Sequence, residues 1–155
     1  MNLELTKKTG CVFAVALGEI IATVSGFALE IHDTEDDNKF DGMTGVMSLN
    51  SKNQGTLFIS AGEAGMRILC SFMMGIAEEQ VTGDDMQDAL CELVNMTAGN
   101  VKLRVTDEDY MFTLMPPFIL TGENMTLVTK KRVRVISKAL SDAAGGISIK
   151  IKIVY

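Results

Sequence analysis

Glu92 and Asn95 are the residues of this 155-residue chain whose types and spacing best suit a chemical role. They are three positions apart, so on a helix they would project from adjacent turns of one face. A carboxamide donates and accepts hydrogen bonds without carrying a charge, so it can orient a water molecule, whereas a carboxylate can pair with a cation. The same Glu-x-x-Asn spacing occurs at Glu35 and Asn38, in an acidic segment that predicts a solvated loop. The surrounding sequence must therefore distinguish the two pairs.

A helix is predicted from Thr82 to Val101, with Thr82 as its N-cap and two acidic residues in its first turn. At about 100° per residue, one side of this helix gathers the positions suited to burial, which are Met86, Leu90, Leu93, Val94, Thr97 and Val101. The opposite side gathers Asp88, Glu92, Asn95, Met96 and Gly99. An exposed asparagine in mid-helix lowers helix propensity without gaining packing, which is typical either of a functional residue or of a tolerated surface position.

The sequence has few of the residues needed for metal binding, nucleophilic catalysis or nucleotide binding. His32 is the single histidine and the three cysteines form no C-x-x-C pair, so zinc ligation and Cys/His or Ser/His catalysis are disfavoured. No P-loop or G-x-G-x-x-G sequence follows a strand-like segment. The 14 basic and 20 acidic residues give a net charge of −6, which argues against a nucleic-acid partner. We expect Cys11, Cys70 and Cys91 to be reduced core residues of a cytoplasmic protein.

The N-terminal segment has two features of a signal peptide, a pair of lysines and an apolar stretch from Cys11 to Leu17. Gly18 and Glu19 interrupt that stretch, so an amphipathic helix is the better prediction. No segment approaches the roughly 18 uncharged apolar residues of a membrane span, so no membrane is expected as a partner. Because 47% of the residues are hydrophobic, the sequence predicts one soluble domain over residues 1–155.

Two further helices are expected. The first follows the N-terminal lysines and ends at Gly26. The second begins at a capping box formed by Ser60 and Glu63 and ends near Gly75. We expect its methionines and Phe72 to fill the core rather than to line an open groove.

Alternating residues predict an antiparallel sheet. The first three strands are expected to form a meander, with His32 on the solvated side of the first strand. Pro116 and Pro117 cannot donate ladder hydrogen bonds, which places them at an edge, a bend or a strand end. The last strand alternates most regularly and is expected to be able to pair across a subunit boundary. The predicted strands are 27–32, 46–49, 56–60, 101–105, 110–114, 126–136 and 147–153.

The segment Asp88-Ala-Leu-Cys-Glu-Leu-Val-Asn-Met-Thr-Ala-Gly-Asn-Val-Lys102 resembles the signature helix of the CheX branch of the CheC/CheX/FliY phosphatases. These proteins act on the phosphorylated chemotaxis regulator CheY. The order of helices and strands is similar along nearly the whole chain. The resemblance implies an α/β (α+β) fold in which helices pack on one face of an antiparallel sheet, with a single active motif and two paired subunits.

The resemblance also implies roles for individual residues. Asn95 would place its amide beside the aspartyl phosphate of a CheY-type receiver and orient a water in line with phosphorus. Glu92 would pair with the lysine of the receiver, and Asp88, Met96 and Gly99 would contact the same partner. No cofactor of the chain's own is implied, because Mg²⁺ is expected on the receiver.

Two departures from the family pattern bear on this interpretation. The family often has Gly or Ala between the glutamate and the asparagine, whereas this chain has Leu93 and Val94, which we expect to affect packing rather than chemistry. No second helix carries the Glu-x-x-Asn pattern, so a two-site CheC-like protein is disfavoured. The alternatives are a receiver-binding module without turnover and a structural domain related to flagellar-switch components.

Overall fold

The computed structural model describes residues 3–34, 39–52, 54–106, 111–129 and 133–155. Within these ranges lie three α-helices and seven strands, and a short 3-10 turn, Glu78–Gln80, precedes the third helix. The helices are α1 (Leu3–Ser25), α2 (Glu63–Met74) and α3 (Gly83–Arg104). The strands are β1 (Glu30–Asp33), β2 (Lys39–Asn50), β3 (Gly55–Ala61), β4 (Thr113–Leu114), β5 (Phe118–Thr126), β6 (Val135–Ser141) and β7 (Ser148–Val154).

The strands form one antiparallel sheet in the order β1-β6-β7-β3-β2. Both β4 and β5 pair with β2 on the side away from β3. The helices cover one face of this sheet, which confirms the predicted fold class. None of the described helices combines the length and the apolar character needed to cross a membrane.

The main core lies between the helices and the sheet. The alternating isoleucines of β7 point into it, because successive side chains of a strand face opposite sides. Removing each large apolar side chain from water contributes about 1.5–3 kcal/mol to folding. The side chains that fill this core include Phe13, Leu17 and Ile21 of α1, Leu90 and Leu93 of α3, and Ile149, Ile151 and Ile153 of β7.

The predicted meander is wrong, because β1 pairs with β6 instead of β2. Two contacts fix that pairing. Lys138 forms an ion pair with Asp33, and the Thr34 hydroxyl donates to Ser137 Oγ over 2.9 Å. Opposite charges and paired hydroxyls on neighbouring strands stabilise such a register. His32 is exposed on this strand, as predicted, with Nε2 3.8 Å from a carboxylate oxygen of Glu30.

The expected capping box of α2 is also wrong. Ser60 lies in β3, where its hydroxyl is 2.8 Å from that of Thr44 on β2, and the N-cap of α2 is Gly62. The end of the helix is confirmed, since Gly75 adopts the left-handed conformation that suits a C-cap glycine. Phe72 is 49% exposed rather than buried.

The later strands differ from the prediction in two places. Residues 101–104 continue α3, and the predicted strand at 126–136 falls mostly between β5 and β6. The basic residues 130–132 lie outside the described residues. Pro116 and Pro117 precede β5 at its start, as expected. The sheet-forming residues of this region are instead 118–126.

The predicted last strand is confirmed as β7, but the expectation that it could pair across a subunit boundary is wrong. β7 is hydrogen-bonded to β3 on one side and to β6 on the other. An interior strand has no free edge to offer a second chain. The cysteines are all free, but only Cys70 is buried, and Cys11 is exposed, which corrects the expectation of three core residues.

Candidate functional site

Helix α3 begins at a reciprocal cap. The backbone N–H of Asp85 donates to Thr82 Oγ1 over 3.2 Å, and the Thr82 N–H and hydroxyl donate to Asp85 Oδ2 over 2.8 and 2.6 Å. These bonds satisfy N–H groups that the helix leaves unpaired. They also hold the pKa of Asp85 below its ordinary value, since its charged form accepts them. The predicted N-cap is therefore confirmed.

The other end of α3 is tied to α1 by an ion pair between Arg104 and Glu19. The hydrogen bond from Arg104 lowers the pKa of Glu19, and the same bond raises the pKa of Arg104. Lys102 and Arg104 in the last turn also suit the negative end of the helix dipole. Both ends of the helix are thus fixed.

The inner face of α3 packs tightly on the sheet. All six positions predicted for burial are buried. Gly45 of β2 permits the close approach, because a Cβ built there would lie 2.6 Å from Val94 Cγ2 and 3.2 Å from Leu90 Cγ. Leu93 and Val94 both face the core, as expected for the bulkier pair between the glutamate and the asparagine.

The outer face of α3 consists of Asp88, Glu92, Asn95, Met96 and Gly99. The two carboxylates and the Asn95 amide are exposed, whereas Met96 and Gly99 are half-buried. Among the described residues, no group forms a hydrogen bond or an ion pair with the side chain of Asn95. The candidate residues thus lie on one face, and the Asn95 amide is exposed to solvent without a hydrogen-bond partner among the described residues. The Asn95 amide can therefore form a hydrogen bond with another molecule without first losing one within the protein.

Cys91 is the nucleophilic side chain next to this face. Burial raises the pKa of its thiol, and the charge of Asp88 adds to that effect. The thiolate is the reactive form of a cysteine, so both effects disfavour that form in Cys91.

Leu103 extends the outer face by one turn beyond Gly99, and sequence reasoning missed it. Its side chain is 88% exposed although it is a large apolar group on a fixed helix. The alternation of Val101, Leu103 and Val105 is typical of a strand and concealed this position. A helical projection carried on to residue 104 would have placed Leu103 beside Glu92 and Gly99.

Metal chemistry has no support in the described part of the chain, where no three His, Cys, Asp or Glu side chains gather to hold an ion. The second Glu-x-x-Asn pair, Glu35 and Asn38, lies outside the described residues.

Comparison with solved structures shows the same fold. A CheC-like superfamily protein from Shewanella sp. PV-4 has a TM-score of 0.78 at 22% identity, covering 99% of this chain and 98% of the other. The chemotaxis protein CheX of Desulfovibrio desulfuricans has a TM-score of 0.76 at 15% identity, covering 94% and 97%. CheX in the CheX–CheY–BeF₃–Mg²⁺ complex of Borrelia burgdorferi has a TM-score of 0.71 at 16% identity, covering 92% and 95%.

The sequence of the chain matches a family model but no individual curated protein. No curated protein sequence matches the chain significantly. The family model for chemotaxis phosphatase CheX matches residues 43–140, which is more than half of the chain and includes the whole of α3. On that match, with helices and sheet arranged as in the solved CheX structures, the chain belongs to the CheX family of chemotaxis phosphatases.

Proposed function

We propose that this chain removes the phosphoryl group from the aspartyl phosphate of a phosphorylated CheY-type receiver domain. Asn95 would orient the attacking water, and Glu92 would pair with the receiver lysine. Asp88, Met96 and Gly99 would lie against the same partner. The observation that carries the proposal is the exposed, unbonded amide of Asn95 on a helix fixed at both ends.

Hydrolysis of an aspartyl phosphate depends more on the position of the attacking water than on a strong base. Phosphoryl transfer has a loose transition state, so a water held in line with phosphorus reacts without being fully deprotonated. The Asn95 amide can accept from this water through its oxygen and donate through its nitrogen. A carboxylate at the same place would repel the phosphoryl oxygens. Holding two reactants in line can replace much of the entropic part of the barrier.

Glu92 supplies the complementary charge. Three residues along a helix correspond to a rise of about 4.5 Å, so a lysine bound to Glu92 would lie close to the group that Asn95 faces. Mg²⁺ on the receiver would supply the charge stabilisation of the phosphoryl oxygens. The Borrelia burgdorferi complex contains CheY, BeF₃ and Mg²⁺ together with CheX, which supports a partner of this kind. Such receivers are phosphorylated in the cytoplasm, and the exposed free thiol of Cys11 fits a reducing compartment.

The test follows the loss of phosphate from each purified receiver domain of the same organism, with and without this chain. Wild type should accelerate the loss for at least one receiver. Asn95→Ala and Asn95→Asp should each lower the rate by about a hundredfold, as expected for a lost positioning group. Asn38→Ala, the same change in the other Glu-x-x-Asn pair, is the matched control and should retain full activity. Equal rates for wild type and Asn95→Ala would refute the catalytic role, and binding without acceleration would favour the non-catalytic receiver-binding module.

We also propose that the chain forms a homodimer. β5 is hydrogen-bonded to β2 on one side, and no described strand pairs with its other side. The edge of a sheet is a template for strand addition, and Phe118 and Leu120 expose apolar surface on this edge strand. Leu120→Lys should therefore yield monomers in sedimentation velocity. A dimer of unchanged strength would contradict the use of this edge.

A further inference from the structure

A cleft lies beside Glu92, between the last turn of α2 and the first half of α3. Its volume is about 260 Å³. The lining residues are Met73, Met74, Asp85, Asp88, Ala89 and Glu92. The methionines of α2 were expected to fill the core, and Met66 does so, with Met73 packed against it at half burial. Met74 is instead exposed at this cleft, which corrects the prediction for that residue.

The floor and wall of this cleft, which we call the methionine cleft, are apolar and adaptable. Met74 is 49% exposed, and Met73 is half-buried and packs against the core. Methionine has a flexible, polarizable side chain that conforms to varied apolar partners. The backbone beneath it is fixed, because Gly75 N–H donates to Ser71 O over 2.9 Å. The cleft thus offers soft side chains on a rigid support.

The rim of the methionine cleft is acidic and lacks a compensating cation. Asp88 and Glu92 form no ion pair with any described residue. Asp85 stays ionised at neutral pH because its bonds with Thr82 lower its pKa. The nearby cation Arg67 is occupied elsewhere, donating to Glu63 Oε1 over 2.9 Å and to Val81 O over 2.6 Å. A partner that covers this cleft should therefore bring a positive charge.

We infer that the methionine cleft binds an apolar side chain flanked by Lys or Arg on the surface of the receiver domain, and so determines which receiver is dephosphorylated. This inference rests on the proposed function. A standard interface buries about 800 Å² on each partner, which corresponds to a disc of roughly 16 Å radius. Asp88 is seven residues from Asn95, a rise of about 10 Å, so an interface centred on Asn95 extends over the cleft. A second copy of this chain is a poorer occupant, because its net charge is −6.

The experiment compares Met74→Lys with wild type against a receiver that wild type dephosphorylates. The substitution places a like charge where the receiver brings its own cation and removes the apolar wall. We expect KM to rise at least tenfold with kcat within twofold, and the affinity for the beryllofluoride-activated receiver to fall by the same factor. Met74→Gln, which keeps the shape without the charge, should raise KM about threefold. Val128→Lys is the matched control, because it makes the same kind of change at an exposed position outside α2 and α3, and it should leave KM unchanged.

The outcomes separate the two proposals. An unchanged KM and affinity in folded Met74→Lys, checked by circular dichroism, would overturn the role of the cleft while leaving the phosphatase activity intact. If wild type binds the activated receiver without accelerating phosphate loss, the proposed function fails. The affinity titration then still decides the inference, since weaker binding by Met74→Lys supports it and equal binding overturns it.

Discussion

The inner and outer faces of α3 share one backbone but differ in what holds their side chains. Leu93 and Val94 are fully buried in the core, whereas Glu92 and Asn95, which flank them in the sequence, are exposed. The inner side chains are held by packing in the core, whereas the side chains of Glu92 and Asn95 form no hydrogen bond or ion pair with any described residue. One side of the helix thus provides its rigidity, and the opposite side provides the groups that are available for binding. Packing of the inner face fixes the position of the Asn95 amide, and exposure of the outer face leaves that amide accessible to a partner.

The largest effect is expected from Leu93→Ala on the inner face. Truncating a fully buried leucine leaves a cavity and should lower the free energy of unfolding by about 2–5 kcal/mol. Chemical denaturation measures this loss. Leu103→Ala makes the same change on the outer face and should alter stability by no more than about 0.5 kcal/mol. Similar losses in the two variants would remove the distinction between the faces.

Glu92→Lys tests the charge of the outer face. It should raise KM for the phosphorylated receiver at least tenfold, because a lysine would meet the receiver lysine. Steady-state kinetics at several receiver concentrations measure it, and high salt should reduce the difference. Glu79→Lys makes the same charge change at an exposed site before α3 and should have little effect. An unaltered KM would remove the role assigned to Glu92.

Gly99→Ala separates stability from docking. A Cβ at Gly99 would meet no described atom within 4 Å, and alanine is the better helix former, so unfolding should cost up to about 1 kcal/mol more. The added methyl would nevertheless stand on the surface that the receiver approaches, and KM should rise a few-fold. Thermal unfolding and kinetics on the same sample measure both changes. Gly83→Ala, in equally open space at the start of α3, should leave KM unchanged.

The smallest effect is expected from Thr97→Val on the inner face. Thr97 Oγ1 is buried and hydrogen bonds to no group in the described part of the chain. Replacing an unsatisfied hydroxyl by a methyl should stabilise the fold by about 1 kcal/mol and leave kcat unchanged. A destabilised variant in denaturant titrations would indicate that the hydroxyl has a partner such as a buried water.

Helical spacing predicted both faces of α3, because burial against a sheet imposes one period on all the inner positions. Contacts between segments that are far apart in the sequence could not be predicted from local spacing. Ser60 has the right spacing to cap α2, but a hydroxyl on the neighbouring strand, that of Thr44, was the better partner. Likewise Asp33 of β1 forms an ion pair with Lys138 of β6, more than a hundred residues away in the sequence. The candidate roles of Glu92 and Asn95 came from family resemblance, since spacing identifies a shared face but names no substrate.

Gly45 of β2 lies directly beneath α3, next to the turn that carries Asn95. Any side chain at position 45 must displace Val94 or push the helix outward, because a Cβ there would lie only 2.6 Å from Val94 Cγ2. Asn95 is the next residue, so the shift reaches it directly. Genetic screens for loss of the proposed phosphatase activity should accordingly recover substitutions at this buried glycine beneath the helix.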